Sequence, residues 1–103
     1  MSVRESFMPA YMLFIREGAI HDPAEMELYH RKTRESPRDP NLKPLVIYGA
    51  MESLEGEPVD GVVLLQFPTA EAARAWYNSP GYQAALPHRK RGANYRAMLI
   101  EGV

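Results

Sequence analysis

A chain of 103 residues is long enough for one hydrophobic core and too short for two, so 1–103 reads as a single domain. A formal charge of −1, from 12 basic and 13 acidic side chains, argues against nucleic acid as a partner, and the lack of cysteine excludes disulfides and thiolate chemistry. The three histidines, His21, His30 and His88, have no metal-ligand spacing, so neither a metal nor another cofactor is expected.

The opening stretch "MSVRESFMPAYMLFIREGAI" has an apolar run too short to span a bilayer, interrupted by Pro9 and lacking a small-residue cleavage pattern. No membrane partner is expected, and the protein reads as soluble and cytoplasmic. Within it, "AYMLFIR" at 10–16 is almost continuously apolar, with aromatic and β-branched members, as in a strand buried on both faces. "HDPAEMELYHRKTRE" then offers Asp22 as a helix cap, Pro23 in the first turn, and Glu25 at the spacing of a capping box. Prolines 37, 40 and 44 make the next segment a loop.

"LVIYGAM" at 45–51 reads as a second strand. The turn residues of "ESLEGEPVDG" lead into a third, antiparallel strand at 62–67. Thr69 caps a helix carrying Ala72, Ala73, Trp76 and Tyr77 at helical spacing, and Ser79-Pro80 restarts it in a new direction. "HRKRG" suits a helix C-terminus, and a fourth strand begins at Tyr95.

The order βαββαβ predicts an α+β, ferredoxin-like domain: a four-stranded antiparallel sheet in the order 4-1-3-2 with the helices on one face. Every strand nevertheless carries large apolar side chains on both faces. Each one left in water forfeits about 1.5 to 3 kcal/mol of burial, so a second subunit is the expected cover, giving a homodimer joined sheet to sheet.

Alternation along the strands separates a wholly apolar set (Leu13, Ile15, Val63, Leu65, Phe67, Ala97, Leu99) from an apolar set with polar interruptions. The second set holds Met12, Phe14 and Arg16, then Val46, Tyr48 and Glu52, then Val62, Leu64 and Gln66, and finally Arg96, Met98 and Ile100. If each set shares one face, Arg16, Gln66 and Arg96 meet at one edge and Tyr48 joins them. Two guanidiniums, an amide and a phenol above the apolar floor of Met12, Phe14, Val62 and Leu64 suit a small carboxylate or phenol, with Trp76 as a wall. The competing reading makes these strand-end residues ordinary surface groups in ion pairs. His88 is a candidate base, or a helix-end cation beside Arg89 and Lys90; His30 reads as part of the polar face of the first helix.

"LEGE", "LLQFPTAEAARAWYNSPGYQAAL" and the terminal "LIEGV" closely resemble the DUF1330 family. The recurrent residues of that family correspond to Leu54, Glu55 and Gly56, to Phe67, Pro68, Trp76, Tyr77, Ser79, Pro80 and Tyr82, and to Glu101-Gly102. The resemblance implies a dimeric α+β barrel and no established reaction. The chain departs from it at Gly81, where many members are acidic, and at Ile47-Tyr48-Gly49, where many have Arg-Gly-Gly. "HRKRGANYR" looks like a subgroup feature and draws attention to His88, Arg89 and Arg96. By analogy of fold, related barrels include cofactor-free monooxygenases and isomerases with a pocket between sheet and helices.

The resulting expectation is a homodimer that binds or converts a small anionic or aromatic metabolite through Arg16, Tyr48, Gln66, Trp76 and Arg96, with Tyr48 or His88 handling a proton. The alternative is a non-catalytic binding or structural module, and the residues alone leave the choice open.

Overall fold

The computed structural model describes residues 8–103; the reading of the chain's start as free of a leader falls partly on 1–7, outside the described residues. The elements are β1 (Ala10–Arg16), α1 (Pro23–Glu35), β2 (Lys43–Ile47), β3 (Gly61–Phe67), α2 (Ala70–Tyr77), α3 (Pro80–Gly92) and β4 (Tyr95–Glu101). All pairings are antiparallel and the sheet order is β2-β3-β1-β4, the predicted order read from the other edge. This is the ferredoxin-like arrangement, with its second helix in two pieces. No helix among the described residues is long and apolar enough to cross a membrane.

The expected caps form. Asp22, Thr69 and Ser79 each accept from the backbone N–H three residues on, at 3.2, 3.1 and 3.3 Å, so each helix begins where a short polar side chain satisfies an orphan donor. Glu25 does not complete the capping box. Its carboxylate reaches across to α3, and the Asp22 N–H it would have satisfied donates to the Gly92 carbonyl at 3.1 Å. α3 returns along α1 with a glycine near each end. A Cβ on Gly81 would lie 2.6 Å from Ser36 Oγ, and one on Gly92 2.6 Å from Met26 Cγ, so both positions set how closely the helices approach.

The second strand is shorter and earlier than 45–51. It tolerates Pro44 because β2 is an edge strand, and it stops at Ile47 because Tyr48 turns into the left-handed region at φ 52°.

The two face sets need correction. Met12 pairs with Leu65 and Leu99, Phe14 with Val63 and Ala97, and Arg16 with Gly61 and Tyr95, and paired residues share a face. The helices therefore cover the even-numbered residues of β1 together with the odd-numbered ones of β3 and β4. Phe67 is fully buried there, among Met12, Phe14, Leu65, Ala73, Tyr82 and Leu86. On the opposite face, Val46, Leu64, Leu13 and Met98 form an unbroken apolar row across all four strands. It is flanked by one row with Lys43 and Gln66 and another with Arg96. No described helix covers this face.

Candidate functional site

α1 packs mainly on α3 and leaves a gap above β2 and β3. Met26, Tyr29, His30 and Thr33 recur at helical spacing on its inner side; Met26 is buried, and the other three look into a cavity of about 490 Å³. Phe14, Val63 and Leu65 form the floor, and Trp76 and Tyr82 close the side towards α2 and α3. Trp76 lies 4.4 Å from Tyr82 and 5.7 Å from Phe67, centroid to centroid, so one face of this indole belongs to the core while it also lines the cavity. Thr33, Arg34, Leu42 and Pro44 are shared with a wider cleft of about 940 Å³ formed by the proline-rich loop before β2.

At the other end the cavity is bounded by two phenols. Tyr48 holds an unfavourable left-handed backbone, for which a cost of about 1–3 kcal/mol is usual, and such conformations cluster at binding sites. Its ring lies along the sheet where Gly61 has no side chain; a Cβ there would come within 3.0 Å of the ring and 3.3 Å of Arg16 Nε. The Tyr48 hydroxyl consequently reaches the Tyr95 hydroxyl at 2.6 Å. A second pair, Tyr29 and Tyr82, hydrogen-bonds at 2.9 Å between α1 and α3. Burial raises the pKa of Tyr29, Tyr48 and Tyr82 above the usual phenol value, so all three remain protonated donors at neutral pH. His30 moves the other way: burial first, and then the nearby Arg34 charge, lower its pKa and favour the neutral imidazole. Its ring meets Tyr48 edge-on at 6.0 Å.

The sequence-derived candidates separate. Arg16 and Tyr48 come together beside His30 and Tyr95 in an adjoining pocket of about 320 Å³ that Asp60 also lines. His30, Tyr48 and Tyr95 are shared with the larger cavity, which Trp76 lines. Gln66 and Arg96 do not join them. Gln66 pairs with Tyr11 at the far end of β1, because the antiparallel neighbour of the end of β1 is the start of β3, and both residues project from the opposite face. Arg96 is held there by Glu17 at 2.7 Å. Of the expected floor, Met12 and Phe14 face the helices, whereas Val62 and Leu64 face away.

His88 lies outside the cavity in a clasp between α1 and α3. Glu25 accepts from Arg91 Nε at 2.8 Å and is hydrogen-bonded to His88 Nδ1. Arg91 first and His88 second hold the Glu25 carboxyl below its ordinary pKa of 4.5. A depressed carboxylate contributes stability above its unfolded pKa and loses it as pH falls through the folded value. Glu25→Gln is thus expected to lower the denaturation midpoint at neutral pH, with the gap to the wild type closing as pH drops below 4.5. Urea titrations at several pH values check this, and a gap independent of pH would refute it.

Alternation could not reveal Tyr29, His30, Tyr95 or Arg89 as neighbours of this cavity, but helical spacing carries a signal for three of them, Tyr29, His30 and Arg89. His30 falls on the Met26-Tyr29-His30-Thr33 stripe, and Arg89 on the buried stripe of Tyr82, Ala85 and Leu86, where a charge is out of place. Among the described residues no group of three or more histidine, aspartate or glutamate side chains is placed to hold a metal.

The family model of DUF1330, a domain of unknown function, matches residues 9–103. The chain belongs to the DUF1330 family. A comparison with curated proteins finds no match. The crystal structure of RPA0582, a protein of unknown function from Rhodopseudomonas palustris, is similar at 21% identity over 94% of this chain and 84% of that one, with a TM-score of 0.65. A dimeric ferredoxin-like protein of unknown function from Thermobifida fusca is similar at 16% identity over 96% and 95% of the two chains, with a TM-score of 0.58. At these identities the likeness speaks to the fold of this DUF1330 protein.

Proposed function

We propose that this DUF1330 protein binds a small planar, anionic or aromatic metabolite in the cavity between α1 and the sheet, and that it does so as a homodimer joined through the opposite sheet faces. The observation that carries the reading is the chemistry of the lining. Aromatic and aliphatic side chains make up most of it, each of the hydroxyl pairs Tyr29–Tyr82 and Tyr48–Tyr95 keeps one O–H free to donate, and no carboxylate is among the described residues that line it. Such a site favours a flat ligand that brings its own acceptors and negative charge. The dimer is supported by the open face, where an apolar centre with a rim of Lys43, Gln66 and Arg96 has the anatomy of a protein interface.

His30 extends the reading to catalysis. As the neutral imidazole packed edge-on against Tyr48 in the cavity wall, it suits cofactor-free proton transfer, accepting a proton from a carbon acid while a phenol donates to the developing oxyanion.

A thermal-shift comparison of benzoate, 4-hydroxybenzoate and benzylamine tests the binding reading. Ligand at a hundredfold excess over its dissociation constant adds about 2.7 kcal/mol of stability, so the two acids are expected to raise the melting temperature and the amine is not. Equal shifts for acids and amine, or none with any small carboxylate or phenol, would remove it.

A further inference from the structure

Arg89 projects from the buried stripe of α3 and is 5% exposed, yet the N–H groups of its Nε and Nη1 are buried with no acceptor among the described residues. Its guanidinium carbon stands 5.3 Å from the ring centre of Phe14 and 5.2 Å from that of Tyr95, two rings that line the cavity. None of the ion pairs among the described residues includes it. Arg16 repeats the pattern from the sheet. Its Nη2 donates to the Asp60 carbonyl at 2.8 Å, but its Nε is buried with no acceptor among the described residues, and its register partner on β4 is again Tyr95.

Two cations from different elements thus approach the Tyr48–Tyr95 end, and among the described residues neither guanidinium forms an ion pair. The Asp60 carboxylate, which lines the pocket beside Arg16, accepts instead from the Gly18 N–H at 2.6 Å. Aromatic faces return part of the desolvation of a guanidinium, but they leave in-plane N–H donors unsatisfied. Of the two phenols, one spends its proton on the other, and the remaining O–H is free to donate.

We infer that Arg89, seconded by Arg16, is the anion receptor of the cavity, and that the ligand is a planar conjugated oxyanion, a carboxylate or a phenolate-type enolate, seated with its charge at the Tyr48–Tyr95 end. This rests on the binding reading above and narrows it to a ligand class and an orientation. A guanidinium is weakly hydrated and planar, so it suits a delocalised anion with a flat apolar body better than a compact, strongly hydrated one.

The test uses the intact protein with three probes: benzoate, 4-nitrophenol, which titrates near neutrality and reports its ionisation by visible absorption, and the neutral 4-nitroanisole. Wild type is expected to take up nitrophenol as the phenolate, lowering its apparent pKa. Arg89→Met should abolish that shift and weaken phenolate and benzoate binding about 10- to 100-fold while leaving nitroanisole unchanged, since a hydrogen-bonded charge is lost. Arg89→Lys, which keeps the charge, should fall between. Binding of benzoate alone identifies the carboxylate form, and binding of phenolate alone the enolate form. The inference is overturned if wild type holds nitrophenol neutral, or if Arg89→Met binds both anions as wild type does. Should Arg89→Met fail to fold, the wild-type absorbance shift and its reduction in Arg16→Met decide. Nitroanisole binding without any preference for the anions would sink this inference and leave the cavity reading standing; no binding of any probe would sink both.

Discussion

Leu13→Glu is expected to convert the protein from a dimer to a folded monomer at micromolar concentration. Leu13 lies on central strand β1 between Leu64 and Met98, in the middle of the apolar row on the face turned away from the helices. A carboxylate there meets water in the monomer and an apolar partner face in the dimer. An uncompensated charge buried in that way costs about 3–5 kcal/mol, which weakens association by some hundred- to several-thousand-fold. Sedimentation velocity distinguishes the outcomes, because the single chain is 11.7 kDa. Circular dichroism confirms that the variant keeps its fold. A wild-type protein that sediments as a single chain would defeat the dimer reading, and a variant that remains dimeric would move the interface elsewhere.

Phe67→Ala is expected to be the most destabilising truncation in the core. Phe67 is the largest fully buried side chain, and its ring meets Trp76 at 5.7 Å. Removing it leaves a hole between β3 and α2 that the small residues Ala70 and Ala73 cannot fill. The loss is about 3–5 kcal/mol, against a total stability of about 5–15 kcal/mol for a domain of this kind. Each kcal/mol lowers the melting temperature by about 4–8 °C in a domain near this size. Calorimetry at fixed protein concentration measures the change, holding any contribution of association constant; a loss below about 1 kcal/mol would contradict the packing described. Because Trp76 also lines the cavity, this variant should lose ligand affinity together with stability, whereas Arg89→Lys should keep more of its stability than of its anion affinity.

These expectations rest on features that were unequally visible in the sequence. The elements, the three caps and the break at Ser79-Pro80 are local, decided within four or five residues by backbone donors, short polar side chains and proline, and they stand out in the chain. The sheet order follows from the element order and the handedness of crossovers. The meeting of Arg16 and Tyr48 was also legible, although for an incomplete reason. Alternation placed Tyr48 with Val46, but it is the left-handed turn after Ile47 that carries the Tyr48 ring onto the helix side while Val46 stays on the other.

The sequence by itself determined the order of elements, the limits of most of them, the sheet topology, and the surplus of apolar surface that points to a second copy of the chain. It also supplied Trp76, Tyr48 and Arg16 as residues of interest. Only the tertiary structure decided which residues share a face. Alternation is a property of one strand, whereas the match between strands depends on register, and here even-numbered residues of β1 stand beside odd-numbered ones of β3 and β4. That register sends Gln66 and Arg96 to the open face and brings Tyr95 to the cavity. Packing across the molecule then placed His30 over Tyr48 and buried Arg89 beside Phe14 and Tyr95, contacts between residues far apart in the chain that no local pattern encodes.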